Sequence, residues 1–406
     1  MSLRKLGRAT VAATMSLAMG FGLTACTRDF TVAYVYVTTA PKNGQGGGIV
    51  EYAADYQSGA LVAVNGSPVQ AGNNPVSLVA APNGLFIYVL NHDDSTVQEF
   101  SVNEDTGSLT SKNTYPITGT FPTAAIVDQT GKFLYVTYTY QTGYSAAKPG
   151  PGGMTIFPIN ADNSLGTATD QKLGNNPVGV TTNNFNNLVY VIDQEASPNT
   201  PAVIGFSRDA TSGALTPVPG TTIGPAVPGG PTVAIGVAAG VQPSSITMEP
   251  RGHFVYVTDR ATNQLIGYVV QGSGVLVPMV NSPFTTGLLP VDVTVDPRGL
   301  YLYTANYNAN TVGAFAINTA TGAPSGAVGS GSTGVGTAPN CIAIEPALGI
   351  YLYTANNLDG TVSGLKLDAH NGTLTNVQNT PFPASGLPTC VVAVANGNHA
   401  TQIVQP

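Results

Sequence analysis

The sequence predicts an all-β protein, a seven-bladed β-propeller built from four-stranded antiparallel blades. Three observations predict it. A strand carrying a tyrosine recurs at Tyr36, Tyr88, Tyr135, Tyr190, Tyr256, Tyr303 and Tyr353. A proline stands 13 or 14 residues ahead of the last six of these, at Pro75, Pro122, Pro177, Pro243, Pro290 and Pro339. The composition combines 9% charged and 43% hydrophobic residues with 48 glycines and 30 prolines in 406 residues. Self-similarity at about 40 to 50 residues marks radial repetition. Many short strands joined by Gly/Pro turns give this composition, and so much apolar residue excludes disorder.

Asp292 to Val312, DVTVDPRGLYLYTANYNANTV, shows the unit most clearly. A strand runs into a Pro-Arg-Gly turn, a second strand carries the tyrosine, and Thr-Val opens a third. Alternating apolar and polar residues rich in Val, Ile, Thr and Tyr suit half-buried strands.

Residues 1–25 lie outside the repeat. Arg4, Lys5 and Arg8 precede an apolar run, Ala9 to Leu23, too short to span a bilayer. Leu23-Thr24-Ala25-Cys26 resembles the bacterial lipobox. The expectation is a lipoprotein signal peptide at 1–25, a lipid anchor on Cys26 and a tether at 26–32. Thr27 differs from the Asp signal that retains lipoproteins at an inner membrane, so the cell envelope with the outer membrane is the expected location. Lys and Arg number 14 and Asp and Glu 21, a formal charge of −7. Losing three basic residues with the signal peptide gives −7 − 3 = −10. An acidic domain without basic clusters excludes nucleic acid as a partner. A monomer is expected.

Blades are expected from about 33, 75, 122, 177, 243, 290 and 339. The first copy lacks the strand that follows the proline elsewhere. After Pro388, TCVVAVA is a leading strand without a blade. Residues 389–395 are therefore expected to pair into blade one and close the ring, which removes an open edge. Residues 396–406 form a tail. Cys341 and Cys390 each stand two residues after a repeat proline. Equivalent places on neighbouring inner strands make them a disulfide candidate in an oxidising compartment; two free buried thiols are the alternative.

The turns sort by face. Pro82-Asn83-Gly84 and Pro297-Arg298-Gly299 join first to second strands, and Asp105-Thr106-Gly107 and Asn371-Gly372 join third to fourth. These are backbone-angle residues. The opposite face carries the repeat prolines and the longer loops: Thr39 to Gly48, Tyr138 to Gly153, Gln194 to Ala202 and Pro219 to Gln242. Long loops on a rigid scaffold are where binding concentrates.

Candidates for chemistry are few. Of the four histidines only His92, beside Asp93 and Asp94, falls on the loop-rich face, where it offers a base or metal ligand. The residue three after each repeat tyrosine is often Asn or Asp. Such residues close loops by bonding to backbone, or form a polar ring at the channel mouth. The acidic candidates are Asp193, Glu195, Asp259 and Asp292, with Arg260 adjacent; with carbonyls they could hold Ca²⁺, although no spacing demands it. No Cys/His spacing indicates another metal. Tyr138, Tyr140 and Tyr144, with Lys148, are expected on the blade-three loop, where exposed tyrosines suit a glycan or a protein.

The strands FIYVLN, FLYVTYT, FVYVTD, YLYTANYNANTV and YLYTANNLDGTV resemble the YVTN repeat. The larger unit, with acidic-Pro-x-Gly turns and TG-x-L, resembles the lactonase-like seven-bladed propellers related to 6-phosphogluconolactonase over residues 33–395. The resemblance implies lactone hydrolysis at the channel mouth. It also implies Arg-His or Cys-His pairs after the repeat prolines; here those pairs read Val76-Ser77, Thr123-Ala124, Val178-Gly179, Ser244-Ser245, Val291-Asp292, Asn340-Cys341 and Thr389-Cys390. Residues alone favour a binding or scaffold module facing an unknown protein, glycan or small ligand; the alternative is a lactonase-like hydrolase with Asp292, Asp259 or His92 as catalytic candidates.

Overall fold

The structure, a computed structural model, describes residues 30–41, 47–182, 187–197, 200–218 and 236–404. The signal peptide, Cys26 and most of the expected tether lie outside them, as do 42–46 of the blade-one loop and 219–235 of the insert before blade five.

Seven antiparallel sheets form, each a meander from an inner to an outer strand. Blade six is representative: Pro290–Val295, Tyr301–Asn306, Thr311–Ile317 and Pro324–Gly334. Blades four, five and seven gain a fifth short strand against the third. Blade one closes as expected: Leu387–Ala395 pairs antiparallel with Thr31–Ala40. That closing strand starts two residues earlier than the sequence suggests, and Thr31 and Val32 belong to a strand rather than the tether. The tail includes a 3₁₀ helix, Gly397–Gln402. Among the described residues no helix is long and apolar enough to cross a membrane.

The core is not single. Seven clusters of buried side chains fill the seven spaces between neighbouring blades. The repeat tyrosine explains itself here. Its hydroxyl donates to a carbonyl in the outer turn of the next blade: Tyr36 to Gly107 (2.8 Å), Tyr190 to Gly274 (2.6 Å), Tyr256 to Gly322 (2.6 Å), Tyr303 to Gly372 (3.0 Å) and Tyr353 to Gly59 (2.9 Å). Tyr88 reaches Asn163 in the same way, and Tyr135, beside Arg208, leaves its hydroxyl unpaired. A buried hydroxyl needs a partner, and the neighbouring blade supplies one. The turn glycine is required because its φ is positive and the next ring lies against it, as Tyr301 does at Gly372 (φ 74°).

The acidic-Pro-x-Gly turns have an equally local cause. Asp296 Oδ1 accepts the Leu300 and Tyr301 N–H groups at 2.7 and 2.8 Å. Glu249 and Glu345 serve the same turn in blades five and seven. In blade three Asp128 accepts from Lys132 and Phe133 and also forms a buried ion pair with Arg208 of blade four.

Candidate functional site in the axial channel

The inner strands surround an axial cavity of about 390 Å³. A ligand pocket for a small molecule falls in this size range. All seven blades line it, and the two residues after each repeat proline supply the rim and wall.

The first of each pair is polar in blades one, three, five and seven and valine in blades two, four and six. The polar ones lock the ring. Thr123 Oγ1 donates to Pro177 O (2.8 Å), Ser244 Oγ to Pro290 O (2.8 Å), Asn340 Nδ2 to Thr389 O (3.0 Å) and Thr389 Oγ1 to Pro75 O (2.7 Å). These groups bridge neighbouring inner strands and are committed to the fold. Asn340 Oδ1 stays without a partner.

The second of each pair forms a ring of small side chains: Ser77, Ala124, Gly179, Ser245, Asp292, Cys341 and Cys390. Cys341 and Cys390 are disulfide-bonded, with Cα atoms 4.9 Å apart. Among the described residues Asp292 is the sole titratable side chain in the wall. Its Oδ1 accepts from Ser245 Oγ (2.7 Å) and Val293 N–H (2.9 Å), and its Oδ2 from Ile342 N–H (2.8 Å). Burial raises its pKa, and the hydrogen bonds from Ser245, Ile342 and Val293 oppose that rise. It touches the channel lumen yet lies deep within the protein, so desolvation dominates. Among the described residues no Lys, Arg or His lines the cavity.

The other candidates are placed elsewhere. Asp259 is buried and turned into its blade, accepting from Val241, Gln242 and Ala261 N–H groups at 2.7, 3.0 and 3.1 Å. Asp193 is also buried; it accepts from Glu195 N–H (3.0 Å), and its Oδ2 has no partner. Burial pushes Asp193 up to about 7, and the carboxylate of Glu195 adds to the rise. Glu195 itself accepts from Asn175 Nδ2 (3.1 Å). The equivalent Asn306 and Asn356 bond within their own loops. The polar ring at the mouth therefore does not exist as such. These groups close loops one strand out from the wall, and neither they nor Arg260 line the cavity. Among the described residues no group of three or more His, Cys, Asp and Glu is placed to hold a metal ion.

Tyr138 needs correction. It lies in the strand Phe133–Tyr140, fully buried, with its hydroxyl on Asp170 Oδ1 at 2.5 Å. The strand runs further than the loop reading allowed, and alternation turns Tyr138 inward. Tyr140 is half-buried at the strand end, and Tyr144 is exposed with Lys148 Nζ 5.4 Å from its ring. His92 holds Asp93 through Nδ1 at 2.7 Å and stacks on Phe121 with centroids 4.8 Å apart. Phe121 went unnoticed in the sequence; its place immediately before Pro122 was the available signal.

The family model of the lactonase seven-bladed β-propeller matches residues 34–173 and 203–344. That is more than half of the chain, and the chain belongs to this family. Among solved structures it is similar to the periplasmic gluconolactonase PpgL of Pseudomonas aeruginosa, at 18% identity and TM-score 0.71 over 90% of this chain and 100% of that one. A candidate 6-phosphogluconolactonase from Bacteroides fragilis has 21% identity and TM-score 0.69 over 91% and 99%. Apo AztD of Citrobacter koseri is more distant, at 13% identity and TM-score 0.52 over 91% and 99%. At these identities the structures share the fold. No curated protein sequence matches the chain.

Proposed function

We propose that the chain binds a small unphosphorylated lactone at the loop-rich end of the channel and hydrolyses it, with Asp292 as general base. One observation carries the reading: among the described residues, a single half-buried carboxylate in an otherwise uncharged channel wall, in a chain of the lactonase family. Asp292 takes a proton from water as the oxygen attacks the lactone carbonyl. The ring C–O bond breaks and its oxygen takes that proton, giving the hydroxy acid. A raised pKa makes the carboxylate a better base, while the three hydrogen bonds keep it aimed. The channel disfavours a phosphate, because among the described residues no guanidinium or ammonium lines it. Export and anchoring through Cys26, facing the periplasm or the outer surface, complete the proposal.

The test is hydrolysis by purified residues 27–406 of δ-gluconolactone, δ-valerolactone and 6-phosphogluconolactone, with and without Ca²⁺. Turnover of the unphosphorylated lactones is expected, and Asp292→Asn should lower kcat/KM about 100-fold or more. The rate should rise with pH on the acid side, because the base must be ionised and its pKa is raised. No turnover of any lactone, or full activity in the variant, would refute the assignment.

A second reading, a non-catalytic binding module, has its own support. Both oxygens of Asp292 already accept hydrogen bonds, and the loop-rich face bears the long blade-three loop with exposed Tyr144. Retention of a lactone without turnover would favour it.

A further inference from the structure

The residue before the repeat proline holds a left-handed backbone in five blades: Asn74 (φ 52°), Phe121 (φ 61°), Asn176 (φ 67°), Leu289 (φ 55°) and Ala338 (φ 61°). Asparagine tolerates this region best among residues with a side chain, and a bulky residue there is an outlier. Phe121 is the bulkiest of the five. Its N–H donates to Ser95 Oγ (3.1 Å) and its carbonyl accepts from Thr139 Oγ1 (3.2 Å), which holds the backbone in place. Strained residues kept by their surroundings cluster at functional sites.

The ring of Phe121 is not spent on a core. It is half-buried and belongs to none of the seven inter-blade clusters. His92 stacks on it at 4.8 Å and 15°, and Tyr140 meets it edge-on at 6.0 Å and 72°. Three rings from blades two and three thus form one half-exposed shelf. Its position is fixed by backbone: Phe121 directly precedes Pro122, and His92 N–H donates to Asn74 O (3.0 Å), directly before Pro75. Pro75 begins an inner strand and Pro122 is the third residue of another, Thr120–Val127, and the residues that follow them, Val76 and Thr123, line the cavity, so the shelf stands at the loop-rich end of the channel. Asp93 and Asp94, at its edge, bond Asn74 and Asn73 and offer carboxylate acceptors to hydroxyl groups.

We infer that the His92–Phe121–Tyr140 shelf is a stacking subsite for the C–H face of a pyranose-type ring. Aromatic faces carry negative charge and attract polarised C–H groups, while the ring hydroxyls meet the neighbouring carboxylates. The same carboxylates repel a phosphate. The inference rests on the channel mouth being the ligand site, and it narrows the substrate class to sugar lactones over small alicyclic ones.

Saturation-transfer NMR on the Asp292→Asn protein, with methyl β-D-glucopyranoside as probe, tests this without turnover. Saturation should reach the C–H protons of one sugar face. Phe121→Asn installs the residue that blades two and four use at this backbone position. It should weaken binding about three- to tenfold while holding or raising Tm. Tyr140→Leu, which leaves the strained backbone alone, should weaken binding about twofold or more. Leu289→Asn makes the same backbone exchange in blade six and should leave sugar binding intact. The inference falls if no sugar proton is saturated, if both Phe121→Asn and Tyr140→Leu bind like the parent, or if Leu289→Asn loses as much. Sugar binding without hydrolysis of any lactone would remove the lactonase reading alone. Hydrolysis of δ-valerolactone without sugar binding would remove the shelf alone.

Discussion

Asp193 occupies the position that blades two, six and seven give to Asn91, Asn306 and Asn356. An amide there is buried without charge; Asp193 instead buries a carboxyl. Burial raises its folded-state pKa to about 7, against about 4 for an exposed Asp. The sign follows from proton counts. Between those two values the folded chain holds a proton that the unfolded chain has lost, so stability rises as pH falls through this window. Above about 7 both forms are ionised and the full penalty applies. Asp193→Asn should therefore stabilise the protein at pH 8, on the order of 2 kcal/mol, and the gain should shrink toward pH 4. Urea unfolding of both proteins at pH 5 and 8 checks it; an equal difference at the two pH values would be the wrong outcome. The position of this residue was legible from the tyrosine register. Its inward direction was not, because the connection from the preceding blade decides which backbone N–H groups wait there.

At the scale of elements, strands and turns were legible because each repeats a local rule. Prolines stand within the first three residues of the inner strands, turn glycines adopt positive φ, and an acidic residue closes the first turn by accepting backbone N–H groups. The hydrogen bond of the tyrosine hydroxyl was not legible, since its acceptor lies 66 to 84 residues ahead in the next blade, or, for Tyr353, 294 residues back in blade one. That stitch sets two expectations. Tyr303→Phe keeps the ring and its packing but strands the Gly372 carbonyl, and should cost about 1–2 kcal/mol. Asp296→Ala removes the acceptor of three backbone N–H groups and the partner of Arg298 Nε (2.8 Å), and should cost more, about 2–4 kcal/mol. Denaturant midpoints at constant slope measure both. If Tyr303→Phe were the more damaging, the stitch rather than the turn would govern the blade.

For the whole molecule the decisive seam lies inside blade one, where the closing strand Leu387–Ala395, reached by the chain directly from blade seven, pairs with Thr31–Ala40 with no chain continuity between the two strands. The sequence announced it through a first copy lacking its inner strand and a last strand lacking a blade. Three kinds of contact hold it. A buried cluster packs Tyr351, Tyr353 and Val362 against Val35, Val50 and Tyr52. Thr389 Oγ1 donates to Thr38 O (3.1 Å) across the seam, and Asn340 Nδ2 of blade seven donates to Thr389 O (3.0 Å). The Cys341–Cys390 disulfide ties blade seven to the closing strand, with a sequence separation of 49 residues. A loop of this length predicts about 4 kcal/mol of stabilisation from the entropy removed from the unfolded chain. The apolar cluster does not depend on that bond, so the ring should stay closed without it. Replacing both cysteines with serine should thus lower unfolding free energy by about 2–4 kcal/mol while leaving the hydrodynamic radius of the folded protein unchanged. An enlarged radius or self-association would mean that an edge strand has been exposed, and that the closing strand needs its tie to blade seven to stay paired with Thr31–Ala40.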